Sequence, residues 1–290
     1  MGIVCDRENP LTLGNVCPWV FPAQQADMAL VIKVGLSERA AQEVRMNQEG
    51  YENLKLIGAS LLIPEPLQFI ELYGVPVIIM GNCGEDFYHT VHQVPNPLEF
   101  YKYLTDHIEH IYCATLTTDT SALPGLEILR ERLIRQYVVY LDGLVDLTLI
   151  EKLRSVSLAP FVPPMVCFST FDFTPEDVFV TAKSVKYVDP LPVNLGVPII
   201  DLACFAGVAR DAHNLPGSIE GYKALEHYAC KKLPSLLNLS PQVASPIFAF
   251  GRALQMSLSA RFRVKTEPEK AKRFAKQSMK FLREVLEFLM

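Results

Sequence analysis

Phe168-Ser-Thr-Phe-Asp-Phe-Thr-Pro-Glu-Asp-Val-Phe-Val180, followed by Val185-Lys-Tyr-Val-Asp-Pro190, sets three aspartates around two short apolar runs. Asp172 and Asp177 stand five residues apart in a turn, and Asp189 closes the second run. Pairing 178–181 with 185–188 would bring Asp177 and Asp189 level at one end of a hairpin. Convergent carboxylates repel one another unless a cation lies between them, so the cluster suggests Mg²⁺ with phosphate. Aspartates in loops also serve as caps and turn formers. The order of parts on either side decides between the two readings.

Upstream, residues 29–34 (Ala-Leu-Val-Ile-Lys-Val) read as a nearly continuous buried strand with one charge, Lys33. A lysine in such a strand can snorkel from a sheet edge or serve a site. Ser37 is an N-cap for a helix over 38–57, whose middle Gly50 weakens. Pro64 and Pro66 stop it, and 67–72 and 75–80 read as two strands joined through Tyr73-Gly74. Gly81-Asn-Cys-Gly84 then forms a flexible joint. Downstream, 97–112, 125–140 and 144–153 carry apolar residues at helical spacing. A strand and turn block spans 165–202, and helical sequence runs from 203 onward. Thr266-Glu-Pro-Glu269 reads as a capping box opening a last helix with Phe274, Phe281, Leu282, Val285, Leu286 and Leu289 on one face. The predicted fold class is α+β, with a β-rich part over 1–84 and a mostly helical part over 85–290.

With these parts in place, 168–190 resembles the H-G-D-x-x-x-x-N catalytic loop and following metal-binding Asp of the aminoglycoside phosphotransferase and choline kinase group, within the protein-kinase-like superfamily. Thr170-Phe-Asp172 stands where H-G-D would be, Pro175 keeps the loop proline, and Asp177 takes the Asn place. Val188-Asp189 falls at the metal-binding Asp, and Gly196-Val-Pro-Ile-Ile-Asp-Leu-Ala203 follows the family's G-D-P-x-x-D-L-A stretch. Val31-Ile-Lys33 resembles the phosphate-binding lysine strand. The likeness runs collinearly from about Leu11 to Tyr228 and implies a bilobal kinase-like fold that binds ATP and Mg²⁺.

By that resemblance Asp172 is the catalytic carboxylate, Asp177 and Asp189 hold Mg²⁺, and Lys33 contacts the nucleotide phosphates. Glu49 is the first choice for the helix carboxylate that holds the lysine, with Glu43 in reserve. Met80 and Cys83 lie in the implied adenine hinge, and Asp201 would hold the catalytic loop by hydrogen bonds. The sequence departs from the family at Thr170 and Phe171, at Asp177 in place of Asn, and at Leu13-Gly-Asn-Val16, which offers a single Gly where a phosphate cradle usually has several.

Composition narrows the function classes. The chain has 290 residues, half of them hydrophobic, with 16 Phe and 11 Tyr, enough to bury one large core or two smaller ones. A net charge of -5 and a pI near 5.7 give no long-range attraction to nucleic acid or an anionic membrane. The apolar runs are too short to span a bilayer, and no basic-then-apolar leader opens the chain. Seven cysteines without a C-x-x-C pair suit a reducing cytoplasm. His89/His92 and His107/His110 lack a nearby third ligand of the zinc-protease kind.

Two functions follow from the resemblance. One is an ATP-dependent transfer of the γ-phosphoryl group to a hydroxyl of a small molecule, of the aminoglycoside, sugar or amino alcohol class. The other is a pseudokinase or binding module that keeps the fold without efficient transfer, which Thr170-Phe171 favours. Asp142, Asp146 and Asp211 are candidates for attracting a cationic acceptor, or else solvated surface.

Overall fold

The computed structural model describes residues 3–8, 10–11, 17–118, 122–170, 173–180, 184–192 and 195–290. Asp172, Phe171 and the Leu13–Val16 segment therefore lie outside the described residues. By contact density the chain divides into two compact units, Met1–Phe87 with Glu176–Asn194, and Tyr88–Pro175 with Leu195–Met290. The segment 176–194, which the sequence reading assigned to the second part, thus belongs with the first.

The first unit is built on an antiparallel sheet. Strands β1 (Val4–Cys5), β2 (Trp19–Gln25), β3 (Met28–Val34), β4 (Leu67–Leu72) and β5 (Val75–Gly81) take the order β1-β2-β3-β5-β4. Tyr73 and Gly74 turn β4 into β5 with φ of 54° and 80°. Two successive left-handed residues make the tight hairpin turn whose twist matches that of strands. Period-two alternation then sorts the side chains. Lys33 lies across from Ile78 and Phe69 across from Ile78 on its other side, so these three share one face with Met80. Helix α1 (Glu38–Leu56) packs on that face through Ala40, Val44, Asn47, Tyr51 and Leu54, and Ser37 Oγ caps it by accepting from Ala40 N at 3.2 Å.

The opposite face of the sheet is apolar. Trp19, Phe21, Ile32, Val34, Ile70 and Val77 line a recess of about 610 Å³ there. Beyond β5, α2 (Phe87–Thr90) opens the passage into the second unit.

The second unit is helical. Its helices are α3 (Pro97–Ala114), α4 (Ala122–Arg135), α5 (Leu147–Ser155), α6 (Pro198–Gly207), α7 (Ser218–His227), α8 (Leu233–Leu236), α9 (Pro241–Arg263) and α10 (Pro268–Leu289). Its short strands β6 (Cys167–Phe168) and β9 (Leu195–Gly196) pair with each other. Hairpin β7 (Val178–Val180) and β8 (Val185–Tyr187) lies in the first unit. α9 is the central element and packs against α6 and α10, and 14 of its residues from Ala244 to Ala260 are buried. Single π turns extend α4 at Gln136–Tyr140, α6 at Val208–Ala212 and α7 at Tyr228–Lys232.

Two local expectations are corrected. The block 198–202 is helical, because Pro198 sits at the first turn of α6, where its missing N–H costs nothing and its fixed φ suits a helix. The capping box at Thr266 does not form. Pro268 starts α10, so Glu267 occupies the cap position without a side-chain cap bond and instead pairs with Arg263 at 3.4 Å and Lys270 at 3.3 Å. The buried face of α10 includes Phe274, Leu282, Val285 and Leu286, as the spacing predicts. No helix among the described residues is long and apolar enough to cross a membrane.

Candidate active site

Lys33 is 3% exposed, and its ammonium is held by two hydrogen bonds and two carboxylates. Asn47 Oδ1 lies at 2.7 Å and Asp189 Oδ1 at 2.8 Å, with Glu43 Oε1 at 3.3 Å. A buried ammonium is tolerated only when paired and hydrogen-bonded. The alternation of β3 aims Lys33 at α1, and the i,i+4 spacing of Glu43 and Asn47 sets both on the helix face that meets it. The helix carboxylate at the lysine is therefore Glu43, and the choice of Glu49 is corrected. Glu49 lies about 200° around the helix from Asn47 and is exposed.

The hairpin supplies the other carboxylates. Val178 lies across from Tyr187, and Asp177 O accepts from Val188 N at 3.0 Å. Asp177 thus sits opposite Val188, one residue short of the level pairing with Asp189 that the sequence suggests. Asp189 adopts a left-handed φ of 56°, a conformation that asparagine and aspartate reach more readily than other side chains. That turn sends its carboxylate to Lys33. Both aspartates are half-buried.

α1 also holds the chain just after Asp189. Asn47 Nδ2 donates to Pro190 O at 3.3 Å and Asn53 Nδ2 to Pro192 O at 2.6 Å. Gly50 makes this approach possible, since a Cβ there would collide with Pro190 O and meet Leu191 O at 2.8 Å. Gly50→Ala is expected to cost about 1–3 kcal/mol through overpacking, against the roughly 1 kcal/mol that alanine would contribute in an unobstructed helix. Denaturant unfolding decides the sign, and a gain in stability would rule out the close approach.

Tyr51 is fully buried on the same face, and its hydroxyl donates to Met80 Sδ at 3.8 Å. Burial, and then the negative charge of Asp189, hold this hydroxyl well above the usual tyrosine range, so it stays neutral. Met80 is buried at the end of β5, and the joint that follows is pinned where Asn82 N donates to Ala29 O at 3.0 Å. Asn82 Oδ1 accepts from Gly84 N at 2.8 Å, while Gly84 itself takes φ 85°. Cys83 is half-buried there, and desolvation pushes its thiol up to about 11.

In the second unit, the chain entering the Asp172 loop is fixed by buried bonds. Phe168 N donates to Thr115 Oγ1 at 2.9 Å, and Thr170 N donates to Asp201 Oδ2 at 2.9 Å. Asp201 is 1% exposed in the first turn of α6, and this bond is the loop-holding contact the sequence reading expected of it. Beyond the loop, Phe173 packs on Phe205 with ring centroids 5.3 Å apart. Two of the three acidic residues considered for a cationic acceptor have other work. Asp211 pairs with Arg210 at 2.9 Å and with Arg252, and Asp146 caps α5 by accepting from Thr148 N at 3.0 Å.

Comparison of the whole architecture with solved structures places it. A thermostable mutant of aminoglycoside phosphotransferase APH(4)-Ia superposes with a TM-score of 0.57 at 13% identity, over 95% of this chain and 94% of that one. Choline kinase from Cryptosporidium parvum gives 0.52 at 11%, over 99% and 90%. This chain has the kinase-like fold of the small-molecule phosphotransferases. Spectinomycin phosphotransferase APH(9)-Ia, solved with ADP and spectinomycin, matches at 0.53 and 12%, over 96% and 92%. No protein-family model and no curated protein matches the sequence.

Within the kinase-like fold, sequence reasoning missed Asn47 and Tyr51. Asn47 was detectable as a buried polar residue one turn beyond Glu43 on the inward face of α1. Tyr51 reads from sequence as plain core, and only its place beside Met80 and Asp189 makes it part of the site.

Proposed function

We propose that this protein is an ATP-dependent phosphotransferase that moves the γ-phosphoryl group to a hydroxyl of a small molecule. The observation that supports it most is the meeting of Lys33, Glu43 and Asp189, each from a different element, around one buried ammonium. Residues 1–84 act as the nucleotide-binding part, with Met80 and Cys83 at the adenine, and 85–290 as the acceptor and catalytic part. Lys33 exchanges one of its protein bonds for a phosphate oxygen, while Glu43 and Asn47 keep it aimed.

Among the described residues no three His, Cys, Asp or Glu side chains converge as a metal site. Asp177 and Asp189 are nonetheless the kind of donor set that suits Mg²⁺, which takes one or two carboxylates together with substrate phosphate oxygens and water. Bound there, Mg²⁺ supplies neutralisation of the charge on the phosphates. Asp172 accepts the proton of the acceptor hydroxyl. The acceptor oxygen forms a bond to the γ-phosphorus, the bond from that phosphorus to the β–γ bridging oxygen breaks, and ADP leaves.

Calorimetric titration with ATP, with and without Mg²⁺, tests the reading, followed by transfer of labelled γ-phosphate to a panel of alcohols with Asp172→Asn as the control. Magnesium-dependent binding with Asp172-dependent transfer is expected. Binding without transfer to any alcohol would favour the binding-module reading that Thr170 and Phe171 suggest, and folded protein that binds no nucleotide would overturn the phosphotransferase reading and leave only the binding module.

A further inference from the structure

A cavity of about 40 Å³ in the second unit lies among α4, α6 and α9 and is lined by Arg132, Gln136, Thr174, Cys204 and Gln255, with leucines and Val208 completing its walls. Thr174 stands two residues beyond Asp172 in the chain. The π turns of α4 and α6 begin at Gln136 and Val208, so two lining residues sit where a helix is locally widened. Such turns recur at functional sites because they re-aim side chains.

One lining group has no partner in the protein. Gln136 is 4% exposed, and its Oε1 makes no hydrogen bond. By contrast Gln255, on the facing helix and 3% exposed, is used on both sides: its Oε1 accepts from Arg252 Nη1 at 2.9 Å and its Nε2 donates to Ser259 Oγ at 2.8 Å. A buried acceptor left unpaired destabilises a fold, and native proteins keep such groups chiefly where something else pairs with them.

We propose that this cavity receives the non-reacting end of the acceptor, and that the acceptor is a short linear alcohol whose hydroxyl or N–H donates to Gln136 Oε1. The inference rests on the phosphotransferase reading for the word acceptor, but the cavity and its orphan oxygen stand without it. Size sets the class. A water-sized group needs roughly 10–15 Å³ of such space, and a cavity of about 150 Å³ is what holds a six-membered ring, so the space here suits a chain of two or three heavy atoms. A six-membered aminocyclitol ring is too large for it.

The test is ligand-observed NMR on the full chain without nucleotide, using glycerol, D-glycerate and hygromycin B as probes. Glycerol or glycerate should bind and hygromycin B should not. Gln136→Leu should weaken the bound probe about tenfold, the worth of one hydrogen bond, while raising the unfolding temperature because the orphan acceptor is gone. A residue with a purely structural role would show the gain without the weakened binding. Leu258→Phe, which fills the cavity while leaving every polar group in place, should abolish probe binding in a folded protein. Probe affinity unchanged by both variants, or hygromycin B bound in the same cavity, overturns the inference. Because no nucleotide is present, a protein that fails to bind ATP but binds glycerol through Gln136 loses the phosphotransferase reading and keeps this site.

Discussion

Asp211→Ala should destabilise the second unit by about 3–5 kcal/mol, the usual result of leaving a buried charge without its partner. Arg252 is 0% exposed and its Nη2 donates to Asp211 Oδ2. Its other bond is to a neutral amide, Gln255, and its guanidinium also lies 5.2 Å from the Tyr222 ring and 5.3 Å from that of Phe281. None of these replaces a carboxylate. Gly207 belongs to the same arrangement, since a Cβ there would run into Arg252 Nη1. Asp211→Ala combined with Arg252→Met should recover most of the loss, because removing both charges also removes the need to desolvate them. Denaturant unfolding followed by far-ultraviolet circular dichroism measures both. A single-variant loss below about 1 kcal/mol, the range of exposed pairs, would show that water reaches Arg252.

Lys33→Met should raise the dissociation constant for Mg-ATP at least tenfold and lower transfer by about 10²–10³-fold, the scale on which one pre-aimed donor at a site of developing charge counts. Its effect on folding should be smaller. The side chains of Glu43 and Asp189 are 38% and 44% exposed, so water can take over when the ammonium is gone. Two controls separate the helix carboxylates. Glu43→Gln should weaken nucleotide binding and Glu49→Gln should not. The opposite order would restore Glu49 to the role that its local sequence context suggests.

Much of this arrangement was legible in the sequence, for a physical reason that also marks where legibility ended. Strand β3, α1 and the β7–β8 hairpin announce themselves through period, cap and turn chemistry, all of which act over a few residues. Lys33 and Asp189 could be picked out because a charge inside or at the end of an apolar run is locally odd. The choice between Glu43 and Glu49 was decided by a different quantity, the rotation of α1 about its axis, which is fixed by Ala40, Val44, Tyr51 and Leu54 meeting the sheet. A motif match around Gly50-Tyr51 carries no information about that rotation. Val197-Pro-Ile-Ile200 reads as strand from its branched side chains, yet Pro198 opens α6 there. Gln136 was invisible for a stronger reason. Its unpaired oxygen is a property of three helices meeting, and no local pattern encodes it.

The lone tryptophan gives this two-unit chain a built-in label. Trp19 sits on β2 in the first unit, its ring 5.9 Å from that of Phe21, on the sheet face away from Lys33. Its fluorescence therefore reports the local melting of the sheet alone, whereas circular dichroism is dominated by the helices of the second unit. Cooperativity between the units then becomes measurable in the unmodified protein, because two probes that follow one transition define a single unfolding step, and two midpoints do not. In Asp211→Ala, an emission midpoint that stays at its parental position while the helical signal moves would mean that the sheet keeps its fold after the helices have lost theirs.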